Sequence, residues 1–221
     1  MRNMKRKHLF VGIIAAVFLF SAAVLQADAQ NWQIVPGRSV GAINANTSEK
    51  ELIKIYGRAN VRRMAIDVGE GETLPGTVLF PGDPRRKLSI LWRDPATRLR
   101  PESISITSKT TLWKTDRGIT IGTPLTTIEK LNGRAFALTG FAWDYEGTVL
   151  HANGGLLTEL GTLAGEDITG RTLLLRVAPS AAMRTRPEYE RVLGDGSFLS
   201  DNADMRKLDP RVYEMTVTFP D

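Results

Sequence analysis

Several groups of side chains in this 221-residue chain have types and spacings that could do chemistry. Two are aromatics beside a carboxylate, Trp143-Asp144-Tyr145 and Trp92-Arg93-Asp94. Such a pair can stack on a sugar or a protein partner while the acid orients a hydroxyl or amine. The same pattern arises when a Trp closes a core at a strand end and its acid falls in the next turn, since large aromatics are mostly buried. Asp144 with Glu146, and Glu70 with Glu72, have the composition of a glycosidase acid/base pair, although alternating acids in a turn usually point to solvent. Asp195-Gly196-Ser197 with Asp201 and Asp204 offers oxygen ligands of the kind calcium takes, without the EF-hand spacing or its closing Glu. His151 could serve as a base, but no nucleophile motif accompanies it and Ser180 sits in no G-x-S-x-G elbow, so it reads as a hydrogen-bonded strand residue. The glycines from Gly69 to Gly76 and at Gly154-Gly155 lack the G-K-[ST] and following helix of a phosphate loop. Arg85-Arg86-Lys87 reads as a solvated turn. The residues retained as binding candidates are Trp92, Trp143, Asp144 and Tyr145. No catalytic residue, metal ligand or cofactor is assigned.

Composition narrows the classes further. With no Cys there is no disulfide scaffold, thiol catalysis or thiolate metal site. The elements that must position these residues begin after a leader. Arg2, Lys5, Arg6 and Lys7 precede an uncharged apolar run from Leu9 to Leu25, and Ala27-Asp28-Ala29 supplies a small-x-small cleavage site. The expectation is a signal peptide over 1–29, cut after Ala29, with an uncleaved membrane anchor as the alternative. No Cys follows the run to carry a lipid. Of the chain's 29 basic and 24 acidic residues the leader removes four and one, leaving 25 against 23. That balance gives no reason to expect nucleic acid as a partner. His151 is the only histidine beyond the leader, too few for a multi-histidine zinc site.

Beyond the leader, sliding the chain by 76 positions lays Thr47–Arg58 on Thr123–Arg134, with Thr, Lys, Gly and Arg coinciding. Ile43 then falls on Ile119 and Gly71 on Gly147. Each window predicts a short helix. In the first, Ser48 and Glu51 form a capping box, Leu52, Ile55 and Tyr56 share a face, and Gly57 suits the left-handed C-terminal position. In the second, Thr123 caps, Pro124 occupies the first turn, and Leu125, Ile128 and Leu131 make the stripe before Gly133. Strand patterns follow the first helix at Val61–Val68, Thr77–Phe80, Lys87–Trp92, Ser103–Thr107 and Thr110–Trp113, with a Gly-rich turn from Gly69 to Gly76. They follow the second at Phe136–Trp143, Gly147–His151, Thr172–Val177 and Val212–Phe219. A short helix and a long excursion, Pro187–Asp209, interrupt the last pair.

The I-x-x-G/T, short helix, Gly and meander arrangement (Ile119–Gly122 with Thr123; Ile43 with Thr47) resembles the tandem helix-plus-sheet modules of the beta-lactamase inhibitory proteins and of small outer-membrane-assembly lipoproteins. The resemblance spans Val40 to about Leu193. It lacks the usual Pro after the helix Gly, the inhibitors' disulfides and the lipoproteins' acylated Cys. What it implies is a non-catalytic protein-binding module, with no contact residue carried over.

The expected architecture is α+β, with two tandem helix-plus-antiparallel-meander repeats, 30–116 and 117–221, packed into one globule after the signal peptide. The expected function is an exported, non-enzymatic protein-binding or inhibitor-like module of the periplasm or medium, acting on an envelope or extracellular protein. The alternatives are a hydrolase of cell-wall glycans or peptides using Asp144 or Glu146, and a carbohydrate-binding module.

Overall fold

Period-two alternation builds the central element of the computed structural model, which describes residues 31–161 and 172–219. The expected leader and cleavage site, residues 1–29, lie outside the described residues. Six strands form one antiparallel sheet: β3 (Val61–Gly69), β4 (Glu72–Leu79), β5 (Leu88–Asp94), β6 (Leu99–Ile106), β10 (Leu173–Ala178) and β12 (Arg211–Thr218), in the order β10-β12-β6-β5-β4-β3. Alternate residues of its strands (Ile90, Trp92, Ile104, Ile106, Leu175, Met215) are buried, and the intervening Ser105 and Thr216 lie half-buried on the other face, 3.1 Å apart. Two small three-stranded sheets complete the strand content. One joins β1 (Gln33–Val35) to β2 (Ser39–Val40) and, in parallel, to β7 (Lys114–Thr115); the other is β11 (Ser197–Leu199), β8 (Ala137–Thr139) and β9 (Val149–His151). The fold is α+β with mostly antiparallel sheets. Among the described residues no helix is long and apolar enough to cross a membrane.

Helix α1 (Glu49–Tyr56) and helix α2 (Leu125–Asn132) contribute Leu52, Tyr56, Leu125 and Ile128 to the same buried cluster as the sheet. Ser48 caps α1 with the full capping box: Glu51 N–H donates to Ser48 Oγ at 3.3 Å and Ser48 N–H to Glu51 Oε2 at 2.7 Å. Gly57 ends α1 at φ 84°, ψ 148°, a glycine-only conformation other than the left-handed one expected. Gly133 does end α2 in the left-handed region. Thr123 is not the side-chain cap of α2: Pro124 holds that position, and Thr123 Oγ1 accepts from Thr120 N–H instead, at 2.9 Å.

The helices are entered alike. Thr47 Oγ1 accepts from Asn44 N–H as Thr123 Oγ1 does from Thr120. Glu49 N–H donates to Arg98 O and Leu125 N–H to Pro210 O, while Arg100 N–H and Val212 N–H return to Thr47 O and Thr123 O. Each helix start is thereby tied to the start of a strand, β6 for α1 and β12 for α2, and those two strands pair antiparallel.

The chain departs from the expected meanders in three places. Thr110–Trp113 is not a strand, because Leu112 N–H donates to Arg85 O and the Trp113 indole N–H to Arg86 O, docking the segment on the 83–87 turn. The presumed Gly-rich turn is a tight hairpin. Glu70 and Gly71 at φ 55° and 76° form its two-residue loop, with Pro75 and Gly76 inside β4. In the second half, helix α3 (Pro187–Glu190), β11 and helix α4 (Ala203–Leu208) fold back onto β8, so Phe141 N–H donates to Val192 O and Gly140 N–H to Gly196 O. A β-carbon on Gly140 would lie 2.4 Å from Val192 O, so only glycine permits this approach. The excursion thus takes ladder positions a simple meander would use.

Candidate functional site: the β3–β4 arm and its brace

β4 pairs with β5 only from Thr77 to Leu79, whereas β3 and β4 pair from Val61↔Leu79 out to Gly69↔Glu72. Beyond Thr77 the hairpin is therefore a two-stranded arm. Pro75, which has no N–H to donate, sits where β5 no longer pairs with β4. A two-stranded ribbon is marginal alone, so its two ends need support.

At the root the support is a buried carboxylate. Glu49, 4% exposed on the first turn of α1, accepts from Arg63 Nε and Nη2 at 2.9 and 2.6 Å and from Thr77 Oγ1 at 2.9 Å, with Arg98 Nε 3.5 Å away. Thr77 Oγ1 in turn accepts from the Trp92 indole N–H at 2.9 Å. Burial pushes the Glu49 carboxyl up, but the hydrogen bonds from Arg63 and Thr77 and the charges of Arg63 and Arg98 outweigh it and hold it below the ordinary carboxylate value.

At the tip the support comes from the 142–147 loop. The Tyr145 ring lies against Gly69, its Cε1 3.3 Å from where a β-carbon would be, and its hydroxyl is close to the Glu70 carboxylate. Arg176 of β10 lies over the ring, its guanidinium carbon 5.0 Å from the ring centroid, and Trp143 packs edge-on at 5.5 Å. Burial, then the Glu70 charge, push the Tyr145 phenol up. The tip of the hairpin at one sheet edge thus reaches the loop beside the strand at the other edge.

The binding candidates accordingly fall in different settings. Trp92 is 2% exposed, a core residue that offers no contact surface. Trp143 and Tyr145 are half-buried and brace the arm, and Asp144 between them is exposed. Glu146, considered with Asp144 as an acid/base pair, is already engaged: it accepts from Arg184 Nη2 at 2.5 Å and from Ala142 N–H at 3.0 Å. Its backbone carbonyl accepts from Tyr213 Oη at 3.2 Å. Asp204, considered for calcium, is gripped by Arg191 through two 2.8 Å hydrogen bonds. His151 is exposed on β9, with Nδ1 accepting from Asn153 N–H at 3.2 Å. Among the described residues no three acids or histidines converge as a metal site.

What the residue patterns missed is the arm itself. A groove of about 390 Å³ lies along it, lined by Arg63, Met64, Ala65, Leu74, Pro75 and Arg98 among others. Met64 and Leu74 are 43% and 46% exposed, and Leu99, next to Arg98, is 47% exposed. The signal was present in Val61–Val68, where Arg62-Arg63 and Met64-Ala65 break alternation, as fits a strand with neither face fully covered. Compared with known proteins, the chain matches no family model, no curated protein and no solved structure.

Proposed function

We propose that this chain is an exported, non-enzymatic protein-binding module of the cell envelope, made of two like-built halves, and that the β3–β4 arm is its contact surface. One observation carries the reading. Among the described residues five large apolar side chains are exposed, and two of them, Met64 and Leu74, line one groove along an arm that is held at both ends, with Arg63 and Arg98 at its rim and exposed Leu99 next to Arg98 in the chain. Exposed apolar side chains on a braced element, with Arg at the margin, have the composition of a protein contact. Bracing lowers the ordering cost of binding. In this reading Trp143 and Tyr145 hold the arm in place and Asp144 stands at its margin. The leader and the absence of Cys support export without lipid attachment, and the matched entries into α1 and α2 support two halves of common design. A glycan or peptide hydrolase finds less support, because Glu146 is committed to Arg184 and Ala142.

The test is a photo-crosslinking residue at Leu74, with Leu199, exposed to the same extent elsewhere, as control. After irradiation of the exporting cell, Leu74 gives one discrete heavier adduct with an envelope protein and Leu199 does not. Equal labelling from both positions, or none from Leu74, overturns the reading. Sequencing the mature chain, expected to start at Gln30, and fractionating the cell check export in the same experiment.

A further inference from the structure

β3 is the last strand of its sheet. It pairs with β4 alone, and among the described residues nothing hydrogen-bonds to its outer edge. Sheet proteins usually blunt such an edge with Lys, Pro, a bulge or a covering segment. β3 contains neither Lys nor Pro, its irregularity lies at the tip, between Asp67 and Gly69, and its charged side chains are Arg62, Arg63 and Asp67, of both signs. From Val61 to Asp67 it is a regular strand ready to be paired.

We propose that the occupant of this edge is β3 of a second copy of the chain, antiparallel, with Ala65 on the two-fold axis. The argument is one of register. A two-fold axis perpendicular to a continuous sheet leaves every side chain on its own face, so a residue can stand only opposite one of the same parity, and the axis must pass through a residue. Centring on Met64 sets Arg63 against Ala65 and Arg62 against Ile66. Centring on Ile66 sets Met64 against Val68 but also Ala65 against Asp67 and Arg63 against Gly69, with no opposite charges paired within β3. Centring on Ala65 sets Arg63 against Asp67 twice and Met64 against Ile66 twice, with only two small side chains on the axis and Arg62 against Val68 at the ends. Within β3 it is the one central register that pairs opposite charges, and it pairs apolar with apolar beside them, the two cross-strand combinations that favour a pairing.

The charged groups have capacity for it. Arg63 commits Nε and Nη2 to Glu49, and Nη1 makes no hydrogen bond among the described residues. Asp67 accepts from Gly69 N–H through Oδ1, leaving Oδ2. The contact is shorter than a standard protein interface, so the dimer is concentration-dependent. This inference goes beyond the partner-binding reading: it concerns the edge of the arm, where that reading concerns its faces.

The register is tested with single thiols, since the chain has no Cys of its own. Ala65→Cys, placed opposite itself, forms an intermolecular disulfide on mild oxidation at least about tenfold faster than Ala96→Cys, an exposed loop control, because pairing raises the effective thiol concentration. Met64→Cys alone crosslinks no faster than the control, and a mixture of Met64→Cys with Ile66→Cys forms the mixed dimer. In parallel, sedimentation velocity of the exported chain from about 1 to about 300 μM shows a rising sedimentation coefficient, and Ala65→Lys, which sets two cations face to face on the axis, abolishes the rise. Circular dichroism shows that each variant keeps its fold. A chain that stays monomeric throughout, an Ala65→Cys rate equal to the control, or Met64→Cys crosslinking as fast as Ala65→Cys overturns the proposal.

Discussion

Glu49→Gln isolates the charge at the root of the arm. Glutamine keeps the shape and an oxygen for the Thr77 hydroxyl, but it removes the anion that neutralises Arg63 and Arg98. Hydrogen bonds to a charged group contribute about 1.5–3 kcal/mol each, yet Arg63 is 57% exposed and can turn to water, so the net cost is about 2 kcal/mol. For a domain of this size that lowers Tm by about 4–8 °C. Glu49→Ala costs about 1–2 kcal/mol more, because the Thr77 hydroxyl, fully buried, loses its acceptor. Acid provides the internal control. The folded carboxyl lies below its ordinary value of 4.5, so its stabilisation is fully present above that pH and is lost as pH falls through the folded value. Melts by circular dichroism from pH 7 down to pH 3 therefore show the wild type converging on Glu49→Gln. A glutamine variant melting within about 1 °C of wild type at pH 7, or a gap that persists unchanged in acid, would refute the reasoning.

Other perturbations read other parts of the structure. Burial pushes the Tyr213 phenol up to about 12 from an ordinary 10, so its contribution to stability is intact below pH 10 and is lost as pH rises towards 12. Ultraviolet titration should show a late-ionising phase to which Tyr213 contributes together with Tyr145, and Tyr213→Phe should reduce that phase and remove part of the alkaline destabilisation. Tyr145→Ala unpins the hairpin tip, so amide exchange should quicken across 64–74 while β5 and β6 keep their protection; uniform exchange would refute the brace. Gly147→Ala should leave no stable folded protein, because a β-carbon there would lie 1.8 Å from Val177 O at a φ of 61°, a cost above about 4 kcal/mol; a soluble variant with a near-native melt would contradict the packing of that loop on β10.

Features that depend on near neighbours along the chain were legible in the sequence. The Ser48 and Glu51 capping box forms as the residues dictate, since both partners lie within one turn. The alternation of Leu88–Asp94 and Leu173–Ala178 produces half-buried strands because a side-chain period of two is intrinsic to extended backbone. Leu125 and Ile128 of the second helix stripe are buried for the equivalent reason at helical spacing. Near Thr123 the expected cap fails, because its hydroxyl is used to close the preceding turn instead.

What tertiary structure alone decided is which residue meets which across long stretches of chain. No local signal says that Arg63 and Arg98 share the carboxylate of Glu49, that Trp92 hangs its indole N–H on Thr77, or that Tyr145 reaches across to Gly69 and Glu70. Residue type and spacing supplied helices α1 and α2, the six strands of the main sheet and the aromatic beside an acid at 143–145. The same trio could equally have formed an open contact or a brace, because a side chain's exposure depends on what distant backbone packs against it, and here the tip of the β3–β4 arm does.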